Sequence, residues 1–91
     1  MKNNEIKEMC MIQQSKRGES YPKYKFSIKQ TKRMIKIYWE YLDGSCWTIE
    51  NYEGFYIVRN EHGEIMNDEL EDTTTLEDAI KSSVYYMTSR Y

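Results

Sequence analysis

The segment from residue 34 to residue 60 alternates apolar and polar side chains, and no other feature of the chain constrains its fold as strongly. Such alternation is typical of β-strands with one buried face, because successive side chains in a strand point to opposite sides. Gly44, Gly54 and Gly63 follow one another at intervals of ten and nine residues, which suits turns between short antiparallel strands. The segment therefore predicts a β-meander whose buried face is formed by Ile35, Ile37, Trp39, Tyr41, Trp47 and Ile49.

The register of the first hairpin depends on the length of its turn. A two-residue loop at residues 43–44 sets Ile37 opposite Glu50, which places an apolar side chain against a charge. A three-residue loop over residues 42–44 sets apolar residues opposite one another, and we prefer it. This register predicts four pairs of opposite neighbours: Trp39 with Trp47, Ile37 with Ile49, Lys36 with Glu50, and Tyr38 with Thr48.

The second hairpin has a similar turn over residues 52–54, which again ends in glycine. A third turn over residues 61–63 closes a strand over 55–60 and leads to a weaker strand near 64–67. A three-residue second turn predicts Ile57 opposite Ile49 and Phe55 opposite Asn51.

Two segments outside the meander have the periodicity of amphipathic helices. The first covers residues 4–16, and the asparagines at positions 3 and 4 can cap it. The second begins at a capping box formed by Thr74 and Glu77, and Glu77 is spaced to pair with Lys81 one turn later. One face of this final helix carries Leu76, Ala79, Ile80, Ser83, Val84 and Met87, while Tyr85 falls on the polar side.

Residues 23–30 are predicted to form the first strand, because Tyr24, Phe26 and Ile28 alternate mainly with lysines. The predicted order is α-β-β-β-β-(β)-α. It places the chain in the α+β class as a single compact domain over residues 1–91, with an antiparallel four- to five-stranded meander covered on one face by the N- and C-terminal helices. The uncovered face is predicted to display Lys36, Tyr38, Glu40, Thr48, Glu50, Tyr52 and Tyr56.

The sequence lacks the patterns of common catalytic and metal sites, so we expect no enzymatic activity, no metal and no other cofactor. His62 is the single histidine, and its place in a turn is ordinary. Cys10 and Cys46 have no CxxC partner, which favours free thiols in a reducing compartment over a disulfide framework. The chain has neither a signal-peptide pattern nor an apolar run of about 20 residues, which favours a cytoplasmic protein with no membrane contact.

Charge is distributed unevenly along the chain. Residues 1–42 carry ten Lys or Arg and four Glu, whereas residues 43–91 carry three Lys or Arg and eleven acidic residues. The basic stripe over residues 16–36, with tyrosines interleaved, can follow phosphates while the tyrosines stack on bases. A solvated strand edge explains the same stripe without a ligand. The residues assigned to this alternative nucleic-acid site are Lys23, Lys25, Lys29, Lys32, Arg33 and Lys36.

Residues 61–78 contain eight acidic residues and no Lys or Arg. Such a segment can form a negative surface that docks where a protein normally holds a nucleic-acid backbone. The same pattern is explained without a partner if the acids keep the surface hydrated and interact favourably with the positive end of the final helix. Nine tyrosines add more aromatic surface than a small core needs, although tyrosine also fills sheet faces with its hydroxyl in water. The predicted partner-binding residues are the acids Glu61, Glu64, Asp68, Glu69, Glu71, Asp72, Glu77 and Asp78, and the tyrosines Tyr38, Tyr52, Tyr56 and Tyr85.

These observations predict a small non-enzymatic binding or inhibitor protein that acts on a larger protein or nucleoprotein complex. In its concrete version, the protein is encoded by a phage or mobile element and blocks a nucleic-acid-handling defence enzyme such as a CRISPR effector. The basic channels of such an enzyme suit an acidic, tyrosine-bearing mimic of nucleic acid. Direct nucleic-acid binding by residues 16–36 is one alternative. A homo-oligomeric structural accessory protein, with the tyrosine face forming a homodimer, is the other.

Overall fold

The chain folds into a four-stranded antiparallel sheet with one helix before it and one helix after it, which confirms the α+β class. The computed structural model describes residues 1–16, 24–40, 45–70 and 72–89. The strands follow one another across the sheet in sequence order, and every neighbouring pair is antiparallel. The elements are α1 (Asn3–Ser15), β1 (Phe26–Gln30), β2 (Met34–Trp39), β3 (Ser45–Tyr52), β4 (Phe55–Arg59) and α2 (Leu76–Thr88).

Both helices cover the same face of the sheet, as the apolar alternation predicts. α1 contacts α2 and β1, while α2 also contacts β3 and β4. Burial of apolar surface between these two layers stabilises the fold, at about 25 cal/mol per Å² removed from water. The core side chains are Ile6, Cys10, Phe26, Ile35, Ile37, Trp39, Trp47, Ile49, Val58, Met66, Ala79, Ile80, Val84 and Met87.

The fifth strand expected after the third turn is reduced to a single bridge between Arg59 and Ile65. The backbone amide of Met66 still donates to the carbonyl oxygen of Val58, at 2.8 Å. The side chain of Met66 is buried in the core, and the chain turns directly after it, because the amide of Leu70 donates to the Met66 carbonyl. Pairing with β4 therefore stops after one bridge.

The pairing of β2 with β3 differs from the predicted register by two residues. Trp47 lies opposite Ile37 and not opposite Trp39. Because side chains alternate between faces, a shift of two leaves the residues of both strands on their predicted faces. The buried face is therefore confirmed although the register is wrong. The observed neighbours are Met34 with Glu50, Ile35 with Ile49, Lys36 with Thr48, Ile37 with Trp47, and Tyr38 with Cys46.

A longer connection than the predicted three-residue turn accounts for this difference. β2 ends at Trp39 and β3 begins at Ser45. Glu40 stays with β1, because its amide donates to the carbonyl oxygen of Lys25 at 2.9 Å. The predicted turn over residues 42–44 and the predicted core residue Tyr41 lie outside the described residues.

The turn between β3 and β4 has two residues, Glu53 and Gly54, and not the predicted three. Both have positive φ, 36° and 98°, as in a type I′ turn, whose twist matches that of the paired strands. One residue fewer in the turn moves each residue of β4 to the opposite face. Val58 is therefore buried, and Tyr56 packs against the core, so its predicted position on the uncovered face is wrong. The observed neighbours are Tyr52 with Phe55, Asn51 with Tyr56, Glu50 with Ile57, and Ile49 with Val58.

Both helix starts differ slightly from their predicted caps. Thr75, and not Thr74, is the N-cap of α2, because its hydroxyl oxygen accepts a hydrogen bond from the Asp78 amide at 3.1 Å. Thr74 instead donates both its amide and its hydroxyl to the carboxylate of Asp72. The N-cap of α1 is Lys2, so the asparagines at positions 3 and 4 lie in its first turn.

The surface and the apolar face of α2 agree with the prediction. A carboxylate oxygen of Glu77 lies 3.0 Å from the ammonium nitrogen of Lys81, which confirms their i,i+4 pairing. Neither of the two helices in the described ranges is long and apolar enough to cross a membrane. The buried residues of α2 are Ala79, Ile80, Ser83, Val84, Met87 and Thr88.

Candidate binding surface

The sheet has one face that neither helix covers, here named the open face. Side chains alternate along each strand, so the residues that do not point into the core point to this face. Cross-strand pairing then fixes their order across the sheet. The open face carries Ser27, Lys29, Met34, Lys36, Tyr38, Cys46, Thr48, Glu50, Tyr52, Phe55, Ile57 and Arg59.

Three basic residues lie in one row across the open face, here named the basic row. Lys29 is directly opposite Lys36, which is opposite Thr48, which is opposite Arg59. Neighbouring strands are about 4.8 Å apart, so the row extends over about 14 Å. Like charges directly opposite each other destabilise a sheet. A bound anion would offset the repulsion between Lys29 and Lys36.

Arg59 is held at its end of the basic row by two contacts. Its Nε lies 3.3 Å from Oε1 of Glu50, and its Nη1 donates to the carbonyl oxygen of Gly63 at 3.1 Å. The other carboxylate oxygen of Glu50 accepts a hydrogen bond from the Tyr52 hydroxyl at 2.8 Å. This hydrogen bond raises the pKa of Tyr52 above its ordinary value. Glu50 therefore anchors a cation and an aromatic ring beside each other.

Tyr52 and Phe55 form an exposed aromatic pair at the end of the open face where β3 turns into β4. Their ring centroids are 5.8 Å apart and their planes differ by 19°. Phe55 is 56% exposed and Tyr52 is 43% exposed. Arg33 lies beside them in the turn between β1 and β2, where its carbonyl oxygen accepts from the amide of Asn51 at 2.9 Å. The four residues line a groove of about 490 Å³.

Tyr38 flanks the basic row on the other side. It lies opposite Cys46, and the side-chain hydrogen bond between them raises the pKa of Tyr38 above its ordinary value. The carboxylate of Glu40, just after β2, accepts a hydrogen bond from the Ser27 hydroxyl at 3.2 Å. The basic row is therefore bordered by a tyrosine at one end of the strands and by the aromatic pair at the other.

The predicted acidic residues belong to the loop after β4 and to α2, and none of the described ones lies on a strand. Asp68 and Glu69 are exposed, Asp78 is half-buried, and Glu71 lies outside the described residues. Half of the set makes contacts with other side chains of the protein. The contacts are Trp47 Nε1 with Glu61 at 2.7 Å, Asn60 with Glu64 at 3.1 Å, Thr74 with Asp72 at 2.7 Å, and Lys81 with Glu77 at 3.0 Å.

The predicted acidic and tyrosine-bearing surface is divided between two sides of the molecule. Tyr85 is 54% exposed on α2 and lines, with Glu69, a groove of about 290 Å³ where α1 approaches α2. Tyr38 and Tyr52 lie on the open face, with the basic row between them. Among the predicted acids, Glu69 shares the helix-side groove with Tyr85.

The described basic residues of the predicted nucleic-acid site lie along β1, β2 and the turn that joins them. All are exposed or half-buried. Their positions are Lys25 before β1, Lys29 on β1, Lys32 and Arg33 in the turn, and Lys36 on β2, while Lys23 lies outside the described residues.

Three residues of β4, Phe55, Ile57 and Arg59, lie on the open face although the predicted register places them on the core side. A two-residue turn at Glu53-Gly54 places all three on the open face, whereas a three-residue turn sends them to the core side. A type I′ turn needs positive φ at both central residues, and its usual sequence signal is asparagine or aspartate followed by glycine. Glutamate precedes Gly54 here, so the sequence carries only the glycine of that signal.

The two cysteines differ in their burial and in the reactivity expected from it. Burial raises the pKa of the Cys10 thiol to about 12, so this residue stays protonated at neutral pH and is a poor nucleophile. Cys46 is half-buried, and both cysteines are free thiols. No group of three or more His, Cys, Asp or Glu among the described residues is arranged to hold a metal ion.

Comparison with known proteins finds no family model, no curated protein and no solved structure that matches this chain.

Proposed function

We propose that this chain is a non-enzymatic binding protein that takes a single-stranded nucleic acid on its open face. One observation carries the proposal: the basic row and the exposed aromatic residues share the single face of the sheet that neither helix covers. A cytoplasmic location fits this ligand and the two free thiols.

The basic row supports binding of a phosphate backbone. It is about 14 Å long from Lys29 to Arg59, and the phosphates of one strand of stacked DNA are about 3.4 Å apart along the axis. The basic row can therefore contact more than one phosphate. The mutual repulsion of Lys29 and Lys36 in the free protein is relieved by the same contacts, so their charge favours the bound state.

The aromatic residues beside the row support contacts with unpaired bases. Tyr38 and Tyr52 lie on opposite sides of the basic row, and Phe55 extends the aromatic surface beyond Tyr52. Stacking of a base on an aromatic side chain contributes about 1–3 kcal/mol and tolerates any base sequence. A flat sheet face with such side chains suits an unpaired strand, because the bases of a duplex are already stacked on each other.

The test measures binding of a fluorescently labelled single strand of about 12 nucleotides by anisotropy at several salt concentrations. We expect affinity to fall with salt, with a slope of log K against log salt of about −0.7 for each phosphate contacted. The double variant Lys29→Gln/Lys36→Gln should bind more weakly and reduce the steepness of that slope by about 1.4.

The matched control is Lys7→Gln/Lys81→Gln, which removes the same charge from the two helices. It should leave the slope nearly unchanged. No binding by the parent protein at low salt, or equal losses in both double variants, would contradict the proposal.

A second candidate function is favoured by the separation of charge in the fold. Asp68 and Glu69 are exposed in the loop after β4, and Glu69 shares a groove with Tyr85 on the helix side. This acidic surface can occupy a basic nucleic-acid channel of another protein. On this alternative the chain is an anti-CRISPR-like inhibitor, encoded by a phage or mobile element, that acts on a nucleic-acid-handling defence enzyme.

The second candidate is tested by target cleavage with a purified CRISPR effector, its guide RNA and increasing amounts of this chain. Inhibition should be overcome by added guide RNA or target DNA, and Asp68→Asn/Glu69→Gln should weaken it. Glu8→Gln/Glu40→Gln, which neutralises two exposed acids elsewhere, is the matched control. Binding to the effector that never competes with nucleic acid would exclude the mimicry.

A further inference from the structure

We infer that the groove at the turn end of the open face, here named the turn groove, holds one nucleotide of the bound strand. The base stacks on Phe55 and the phosphate pairs with Arg33. This inference rests on the proposed function and assigns the site where the strand is held most specifically.

Two turns that are distant in sequence meet at the turn groove. The turn between β1 and β2 supplies Arg33, and the hairpin of β3 and β4 supplies Asn51, Tyr52 and Phe55. The hydrogen bond from the Asn51 amide to the Arg33 carbonyl, at 2.9 Å, fixes the first turn against the second. The groove has a volume of about 490 Å³, which is within the range of small-molecule sites.

The aromatic wall of the turn groove is held in position before any ligand binds. The Tyr52 hydroxyl donates to Glu50 at 2.8 Å, and Glu50 is in turn held by Arg59 at 3.3 Å. Phe55 stacks on the fixed Tyr52 ring, with 19° between the planes. More than half of the Phe55 side chain remains exposed, so a planar ring can cover it and remove apolar surface from water.

One positive and one negative residue, Arg33 and Glu53, line the turn groove. Arg33 is exposed, and its planar guanidinium can donate two parallel hydrogen bonds to a phosphate. Glu53 lines the same groove and opposes a negative ligand. The balance therefore favours a group with low negative charge, such as the phosphodiester of a strand, over a free phosphate with two charges. Neutralising Glu53 should tighten binding, which is not expected for an uncharged ligand.

The experiment combines ¹⁵N-resolved NMR titrations with the anisotropy measurement. The dinucleotides UpU and ApA, whose phosphodiester carries a single negative charge, are each added to the parent protein, as are the matching nucleosides and inorganic phosphate. We expect shifts of the Gly54 amide and of the Arg33 side-chain signal with the dinucleotides, weaker shifts with the nucleosides, and the weakest with phosphate. Shifts by phosphate as large as those by dinucleotides would overturn the assignment of the base to Phe55.

Three variants test the two contacts with the single strand as ligand. Phe55→Leu keeps an apolar residue but removes the ring, and it should weaken affinity about tenfold. Arg33→Gln should weaken it and lower the salt dependence, whereas Glu53→Gln should strengthen it. Tyr85→Leu is the matched control for Phe55→Leu, because Tyr85 is 54% exposed on α2, away from the sheet.

The outcomes separate this inference from the proposed function. A strand that binds Phe55→Leu and Arg33→Gln as tightly as the parent overturns the turn groove but leaves binding on the basic row intact. Nucleotide binding in the groove without any strand binding supports the groove and contradicts the proposed function. Absence of both kinds of binding contradicts both.

Discussion

The side-chain oxygen of Gln14 accepts a hydrogen bond from the indole nitrogen of Trp39 at 2.7 Å, inside the core. The same amide pairs with the backbone of Tyr24 just before β1, accepting from its amide at 3.0 Å and donating to its carbonyl at 2.9 Å. One buried polar residue of α1 therefore accepts the hydrogen bond of the Trp39 indole and also pairs with both backbone polar groups of Tyr24, just before the edge strand β1. This arrangement ties the first helix to the sheet.

Replacing Gln14 by methionine should destabilise the protein although it conserves volume. The change removes three hydrogen bonds in a buried or half-buried site, and each contributes about 1 kcal/mol, so we expect a loss of about 3 kcal/mol. Urea unfolding followed by tryptophan fluorescence measures it. Gln13→Met, at the neighbouring half-buried glutamine, is the control and should change stability by less than about 0.5 kcal/mol. Equal effects at both positions would contradict the role of Gln14.

Asn67 protects the opposite edge of the sheet in a similar way. Its side-chain oxygen accepts from the Val58 amide at 2.9 Å, and its nitrogen donates to the Tyr56 carbonyl at 2.7 Å. Asn67→Ala should cost about 2 kcal/mol and promote self-association through the exposed β4 edge. Urea unfolding and light scattering at several concentrations test this, with Asn51→Ala as the control at an exposed asparagine. A variant that is as stable and as monomeric as that control would refute the prediction.

The turn between β3 and β4 should respond in opposite directions to two substitutions. Glu53 has φ of 36°, a region where asparagine is more favourable than most residues, so Glu53→Asn should stabilise the protein by about 0.5 kcal/mol. Gly54 has φ of 98°, and an added Cβ meets no atom within 4 Å. Gly54→Ala should therefore cost about 1 kcal/mol through backbone strain alone. Thermal unfolding measures both, and changes of the same sign would contradict the turn geometry.

Asp72 should make stability depend on pH in the acidic range. Hydrogen bonds from the hydroxyl and amide of Thr74 lower the pKa of Asp72 in the folded state. Its contribution to stability is therefore present above the unfolded pKa and is lost as pH falls through the lower folded pKa. Thr74→Val should reduce this dependence in urea unfolding between neutral and acidic pH, whereas Thr74→Ser, which keeps the hydroxyl, should preserve it. A Thr74→Val profile identical to that of Thr74→Ser would argue against the hydroxyl contact.

The two thiols should differ in their reactivity towards a disulfide reagent. Cys10 is fully buried, with its pKa raised to about 12, whereas Cys46 is half-buried on the open face. At pH 8, labelling of the folded protein should proceed in a fast phase from Cys46 and a slow phase limited by unfolding. Cys46→Ser should remove the fast phase only. Fast labelling of Cys10 in this variant would show that the core is more open than its packing indicates.

The two helices, the four strands and the buried faces of β2, β3 and α2 were predictable from the sequence, because they depend on local periodicity. The apolar positions of β2, β3 and α2 all lie where alternation and helical spacing place them. Register was not predictable to the same extent. The Glu40 amide is hydrogen-bonded to the carbonyl of Lys25, just before β1, and this goes with a longer first turn. Glu53 adopts a positive φ, and this goes with a shorter second turn.

The candidate site was only partly predictable for the same reason. Lys29 and Lys36 were assigned from charge alone, but their direct opposition in the basic row requires the pairing of β1 with β2. Arg59 and Phe55 join the open face only because the second hairpin has a two-residue turn. The acids of the loop after β4 were grouped by sequence, although several of them serve as acceptors inside the fold.

The sequence by itself determined the class of fold, the order of the elements and the apolar faces of β2, β3 and α2, since the periods of strands and helices are properties of the local backbone. Only the tertiary structure decided which side chains became neighbours. It placed the basic row beside the aromatic pair, placed Tyr85 and Tyr52 on different sides of the molecule, and brought Gln14 within hydrogen-bond distance of Trp39. The physical reason is that hydrogen bonds between distant segments and the dihedral angles of two turn residues fix the register, and neither is encoded in a local pattern.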